Sequence, residues 1–349
     1  MDGFTERRRA AKAAVTLLRL RPVIAEDFRA RSHSSQQTRI GFTHSSTFLT
    51  RTNAMRSTAY VSGVGRTLHV VAAAMLILVA GLVSPIRAES PHLKMGNPSK
   101  ATTKQADKDN FLMEKDYFAL SYNSGKGIPN WVSWRLTKAD LGDAERVQFY
   151  PDDSLPNGFT KITPTDYAGS GFDRGHMCPH SDRSANDDMS KATFVMTNII
   201  PQSPNVNQKA WNQLELYCRE LVEHQHKRLY IVSGGCGRGG KGKEGAKDAL
   251  AEGKVVVPAK CWKVIIVLNA GPGDDLKKVK DNTRLIAVIM PNDMRVGYEW
   301  AGYRVSVKKV EDLTGYTFFD RIPQNVIDPL KEKVDDESIP PPVIPERGK

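Results

Sequence analysis

The chain has 349 residues, 40% hydrophobic and 26% charged, the composition of a soluble globular protein of one or two domains. Its formal net charge is +11, but residues 1–88 hold 13 Lys+Arg against 4 Asp+Glu and the remainder 37 against 35. That distribution excludes bulk charge as an argument for polyanion binding. Past residue 88, any such affinity must come from a local cluster or a bound metal.

The only long apolar run is LHVVAAAMLILVAGLV, residues 68–83. It is short for a membrane span, which needs ~20 residues. Arg56 and Arg66 precede it and Ile86-Arg87-Ala88 follows. This is the layout of a secretory signal that starts near Met55 and is cut near residue 88, leaving a secreted or periplasmic protein with no membrane span. Residues 1–54 then read as an over-extended start or a long basic pre-sequence. Two other readings stay open: an organelle presequence, because residues 7–21 are rich in Arg and Ala, and an uncleaved anchor at 68–83. Residues 89–109 are rich in Ser, Pro, Lys and Thr and read as a flexible linker.

Tyr117–Tyr122 and Trp131–Leu136 are short aromatic and β-branched runs around Asn-Ser-Gly-Lys-Gly, which predicts a hairpin. Val147–Tyr150 adds a short extended piece, with Arg146 just before it and a Pro/Asp/Gly loop after it, through residue 170. Residues 171–180, GFDRGHMCPH, place an acid, an arginine, a glycine and a histidine in succession. His176 titrates near neutrality and can take a proton from water. Arg174 can grip a phosphate or carboxylate with two hydrogen bonds. Gly175 permits a tight turn or a close approach to a ligand.

Thr193–Thr197 reads as a second strand, with Asn198 at its end. Asn207 opens a run with Trp211, Leu214, Cys218, Leu221 and Val222 at helical spacing, and the helix should reach about Lys227. Glu215 lies eight positions after Asn207, a little over two turns on, so the two project to a similar side. A neutral oxygen ligand, a carboxylate and a histidine base suit a magnesium-assisted attack of water on phosphate. Leu229–Ser233, Trp262–Leu268 and Leu285–Ile289 are nearly continuous apolar runs, as in strands covered on both faces. Residues 234–254 are rich in Gly and Lys but lack the P-loop order, so a solvated hairpin excursion is the default, with a mobile basic loop beside a nucleic-acid groove as the alternative. Val305–Thr314 reads as a strand end and a helix stopped by Gly315, and from Lys331 the chain is a charged, Pro-rich tail, disordered or extended.

Together these stretches resemble the DNA/RNA non-specific endonuclease family, the sugar-non-specific, endonuclease G-like ββα-metal nucleases. The resemblance rests on DRGH at 173–176, NIIPQ at 198–202, NVNQKAWNQLE at 205–215 and LTGYTFF at 313–319. It implies an α+β fold with a ββα-metal finger and a central, mostly antiparallel sheet with helices on both sides. The implied domain runs from about Asn110 to Asp328, with residues 329–349 as tail. The implied activity is hydrolysis of phosphodiester bonds in DNA and RNA, with 5′-phosphate products. His176 would be the general base and Asn207 the main protein ligand of one Mg²⁺, with Mn²⁺ or another divalent cation able to substitute. Arg174 and Arg146 would hold the phosphate, Glu215 would orient metal-bound waters or stand behind the immediate ligands, Asn198 would position the histidine or those waters, and Asp173 would order the loop. Dimerisation occurs in the family, so a homodimer stays open, although no segment here carries a signature of one.

Four cysteines, Cys178, Cys218, Cys236 and Cys261, follow the leader. They permit two disulfides, with Cys236–Cys261 and Cys178–Cys218 as plausible pairs, or four free thiols. His176, Cys178 and His180 could also be read as a zinc cluster, but alternate residues of one stretch make a poor tetrahedral shell. Two rival functions remain: an inactive nucleic-acid-binding protein on the same fold, and an exported metal- or anion-binding module.

Overall fold

The computed structural model describes residues 90–344; the expected signal, residues 68–83 included, lies outside the described residues. In chain order the strands are β1 (Phe111–Glu114), β2 (Ala119–Asn123), β3 (Ile128–Leu136), β4 (Asp173–His176), β5 (Ile199–Gln202), β6 (Lys227–Cys236), β7 (Gly240–Gly242), β8 (Gly245–Lys247), β9 (Ala249–Leu250), β10 (Val255–Val256), β11 (Lys260–Asn269), β12 (Arg284–Pro291) and β13 (Arg304–Val305). The helices are α1 (Asp187–Thr193), α2 (Asn212–Glu223), α3 (Asp275–Lys278), α4 (Val307–Thr314) and α5 (Gln324–Lys331). A π-helical turn, Val206–Trp211, leads directly into α2.

Seven strands form one antiparallel sheet in the order β1-β2-β3-β6-β11-β12-β13. The three apolar runs predicted as covered strands are its centre, and strand alternation divides them between two cores. Val132, Trp134, Ile231, Ile265, Ile286 and Val288 face one side, where Met177, Ile199 and Ile200 of the β4–β5 region and Leu214, Cys218 and Leu221 of α2 pack on them. Trp131, Tyr230, Val232, Trp262, Val264 and Ile266 face the other, under Val307 and Val310 of α4 and Ile327 and Leu330 of α5. The sheet is thus covered by helices on both sides, as the α+β reading requires. Among the described residues no helix is long and apolar enough to cross a membrane.

Several local expectations change. The expected linker, from residue 90 to 109, is not free: Leu93, Met95 and Ala101 are buried in the second core. Ser133 Oγ donates to the His92 carbonyl at 2.7 Å, and the Arg135 N–H donates to His92 Nδ1 at 3.3 Å. Those few apolar residues, spaced among polar ones, escape a compositional reading. The segment 193–197 is the end of α1 and a turn, and the second strand of the finger begins at Ile199, after Asn198 rather than before it. Helix α2 stops at Glu223, four residues short of Lys227, because Lys227 already pairs with Asn269 in the sheet. The tail is extended, anchored by buried Asp335, which accepts from Arg284 Nε at 2.7 Å and Nη2 at 2.9 Å. All four cysteines are free thiols. Cys236 stands opposite Lys260 and Cys261 opposite Gly235, so the two are diagonal neighbours across β6 and β11 rather than a facing pair.

Candidate active site

The DRGH motif is itself strand β4. It pairs antiparallel with β5 so that Asp173 faces Gln202 and His176 faces Ile199. The Gln202 side chain alone leaves no room for another residue at this position: a Cβ at Gly175 would lie 2.0 Å from Gln202 Oε1. Residues two apart share a strand face, so Arg174 and His176 project together.

On that face the His176 ring sits against two aromatic rings, with centroids 5.1 Å from Phe149 and 5.0 Å from Phe194. Each ring carries an arginine. The Arg174 guanidinium lies 4.7 Å from the Phe149 centroid and that of Arg146 5.0 Å from Phe194. His176 is 9% exposed, and its Nε2 is buried without a hydrogen-bond partner. Burial, then the charges of Arg146 and His180, push the imidazole down to about 3, so it is neutral at neutral pH. A buried polar atom without a partner is uncommon, and here it is the atom that could accept a proton.

Asn198 locks the chain just past the histidine. Its Oδ1 accepts from the Cys178 N–H at 2.9 Å, and its Nδ2 donates to the carbonyls of Cys178 and Thr193, both at 2.8 Å. Its own carbonyl accepts from the Met177 N–H at 2.9 Å. Asn198 therefore fixes the backbone that carries His176.

Asn207 lies in the π-helical turn, and its Nδ2 donates to Asp173 Oδ2 at 2.8 Å; Gln208 Nε2 donates to the same oxygen at 2.7 Å. Asp173 thus ties the helix to the histidine strand, three residues or about 10 Å along β4 from His176. With the amide nitrogen committed to a carboxylate, Oδ1 of Asn207 is left as the available neutral oxygen. Asn207, Asp173, Arg174, Phe149 and Arg146 line one groove of ≈ 570 Å³.

Glu215 does not line that groove. It is buried, and Lys263 Nζ donates to its Oε1 at 3.3 Å. Burial raises the carboxyl group above its ordinary range, opposed by the charges of Lys263 and Arg219. Lys263 occupies an inward position of β11, with its Nζ 4.2 Å from the Trp211 centroid and 5.6 Å from that of Trp134. Next to this pair, Asp182 accepts from Trp134 Nε1 and from Arg219 Nη1, both at 3.0 Å. The reading that sent Glu215 to the same side as Asn207 assumed α-helical rotation throughout, and the intervening turn is π-helical.

Among the described residues no three His, Cys, Asp or Glu side chains could together hold a metal ion. That removes the zinc cluster. His180 Nε2 is engaged with the Ala144 carbonyl at 2.9 Å, and burial pushes the Cys178 thiol well above its ordinary range. A hard cation that keeps most of its waters needs no such cluster, and the free amide oxygen of Asn207 suits it. Sequence reasoning missed Phe149, Phe194 and Lys263, and read His180 only as a metal ligand. Only Lys263, a lone cation inside the apolar run Trp262–Leu268, stood out in the sequence as a residue needing a partner.

A family model for the DNA/RNA non-specific endonucleases matches residues 96–325. The chain belongs to that family. This endonuclease-family chain is 44% identical over 275 residues to a nuclease of Nostoc sp. (strain PCC 7120 / SAG 25.82 / UTEX 2576), covering 75% of the chain and 96% of that protein. It is 32% identical over 213 residues to the mitochondrial nuclease EXOG of Homo sapiens, covering 58% of the chain and 55% of that protein. Among solved structures, the crystal structure of the EndoG/EndoGI complex matches with a TM-score of 0.55 and 25% identity, over 67% of the chain and 92% of the matched one. The α+β fold of the endonuclease family, with its large antiparallel sheet, is therefore the fold of this chain.

Proposed function

We propose that this nuclease is a metal-dependent, sugar-non-specific endonuclease that hydrolyses phosphodiester bonds in DNA and RNA with His176 as its general base. One observation carries the reading: a neutral, buried imidazole with a partnerless Nε2 packs against Phe149, which lines the groove that Arg146, Arg174 and Asn207 share, although His176 itself is not among the residues lining it.

His176 accepts a proton from the attacking water. In the free protein its proton affinity is low, which keeps it unprotonated and ready. The negative charge of a bound phosphodiester raises that affinity when the proton has to be taken. Arg174 and Arg146, stacked on Phe149 and Phe194, clamp the phosphate oxygens. Asn198 holds the histidine-bearing backbone in place, and the Glu215–Lys263 pair fixes helix α2 on the sheet below the π-helical turn. Asn207 Oδ1 would hold the cation, Mg²⁺ or a substitute such as Mn²⁺. When bound, the ion supplies charge stabilisation at the phosphate and at the departing 3′ oxygen, giving 5′-phosphate products. Contacts made chiefly to the backbone carry little sequence information, which fits a non-specific enzyme. Residues 68–83 would direct export to the periplasm or the medium.

The test is digestion of plasmid DNA and of RNA in Mg²⁺, with and without EDTA, by the wild type and His176→Ala. The wild type should cut both, EDTA should stop it, and His176→Ala should lose roughly 10²–10⁴-fold in rate while staying folded. Full activity of His176→Ala, or cutting that survives EDTA, would refute the assignment.

A further inference from the structure

The glycine- and lysine-rich stretch that follows β6 has no part in the chemistry above, yet it is not a free excursion. Its hairpin β7–β8 is fastened to the loop that leads into β4. The Lys243 N–H donates to the Gly171 carbonyl and the Lys241 N–H to the Asn292 carbonyl, both at 2.9 Å. The alternation Gly240-Lys241-Gly242-Lys243 follows from this seat. A Cβ at Gly242 would lie 2.5 Å from the Gly171 oxygen and 3.0 Å from Phe172, and one at Gly240 2.9 Å from Asn292. The glycines therefore form a flat inner face against the site loop, and the lysines between them are exposed on the outer face. The ≈ 570 Å³ groove runs from Arg146 and Arg174 to Gly169 and Phe172, where the hairpin begins.

We propose that the β7–β8 hairpin continues the substrate groove as a contact surface for the nucleic-acid backbone, with Lys241 and Lys243 receiving phosphates away from the scissile one. The inference rests on the nuclease reading and adds to it the length of substrate engaged. Gly171, where the hairpin is fastened, precedes His176 by five residues, so its backbone lies about 16 Å or less from that of His176 at roughly 3.3 Å per residue. A duplex strand advances about 3.4 Å along the helix axis per nucleotide, so that span corresponds to about four to five nucleotides measured along the axis. Glu244 and Asp248, both exposed, and Asp293, which is paired with Arg295, are the nearby acids. Glu244 at the hairpin tip packs against Gly171 and opposes the lysines.

The experiment is fluorescence anisotropy with a labelled 24-base-pair duplex in EDTA, titrated across salt concentrations. The proteins are the wild type, Lys241→Ala/Lys243→Ala, Glu244→Gln and Lys280→Gln. Lys280 is an exposed cation in the β11–β12 connection, at the other end of a ten-residue strand and so about 30 Å away. The double variant should bind more weakly and lower the slope of log K against log salt by about 1.8, or 0.9 per lost phosphate contact. Glu244→Gln should bind more tightly, and Lys280→Gln should match the wild type. An unchanged slope in the double variant, or an equal loss in Lys280→Gln, would make the lysines an ordinary solvated face and overturn the proposal. A wild type that cuts plasmid but shows no binding in EDTA would also overturn it, while one that neither binds nor cuts would refute the nuclease reading itself.

Discussion

Replacing Glu215 by Gln separates a structural from a catalytic use of the carboxylate. In the native protein Lys263 is 1% exposed and Glu215 12% exposed by side chain, 3.3 Å apart. Removing the acid leaves an ammonium group inside the sheet–helix interface with no anionic partner, a change that typically costs about 3–5 kcal/mol. The rings of Trp211 and Trp134 around the ammonium retain part of the interaction, which favours the lower end. For a domain of this size each kcal/mol moves Tm by about 2–4 °C, so a loss of about 3 kcal/mol lowers Tm by about 6–12 °C. Glu215→Gln/Lys263→Met removes both charges and should recover most of that loss, since an apolar replacement of a buried pair is often neutral or better. Melting curves by circular dichroism in EDTA and initial rates in Mg²⁺ read the two effects apart. A double variant that recovers both Tm and rate confines Glu215 to holding α2. One that recovers Tm alone shows that the carboxylate also serves the reaction. A Glu215→Gln protein that melts with the wild type would refute the buried-charge argument.

Two further predictions concern the segments that hold the site. Burial pushes His92 down from 6.5 to about 4, so its stability contribution is complete above pH ~6.5 and lost as pH falls through 4, a loss of about 3 kcal/mol. Urea midpoints at pH 7 and pH 4 should therefore fall further for the wild type than for His92→Gln, and equal falls would show that His92 is not held neutral. Asn198→Ala leaves the Cys178 N–H and the Cys178 and Thr193 carbonyls without their partner and should cost about 3 kcal/mol or more. It should also lower kcat beyond what its reduced Tm explains; a folded variant with wild-type kcat would remove Asn198 from the positioning of His176.

The sheet was legible because apolar runs of strand length report burial on both faces, and Leu229–Ser233, Trp262–Leu268 and Leu285–Ile289 all fall inside β6, β11 and β12. The segment around 193–197 was not, because Phe194 is buried in a turn and Val195 makes only an isolated bridge to Tyr150 rather than a strand. Burial and β-branched or aromatic character fit either state when the window is five residues long. The supposed linker failed for the opposite reason. Its polar composition is real, but buried Leu93, Met95 and Ala101 and the His92 hydrogen bonds to β3 fasten it down, and so few apolar positions inside twenty residues leave no periodicity to read.

At the site, DRGH and Asn207 were legible as residue types in order, and the structure adds why they meet: Asp173 accepts from Asn207 and so joins helix to strand. Glu215 was misplaced by geometry rather than by chemistry. At about 100° per residue an α-helix carries position 215 to roughly 80° from position 207. The turn Val206–Trp211 closes i→i+5 bonds instead, rotates less per residue and changes that offset. Nothing in VNQKAW announces a π-helical turn; in the fold the turn coincides with Asp173 Oδ2 accepting from both Asn207 and Gln208. Two adjacent amides drawn to one carboxylate oxygen do not fit regular α-helical spacing, in which neighbours diverge by about 100°. The wide turn and the fastening of Asn207 to the histidine strand therefore go together: the one lets both amides reach Asp173 Oδ2.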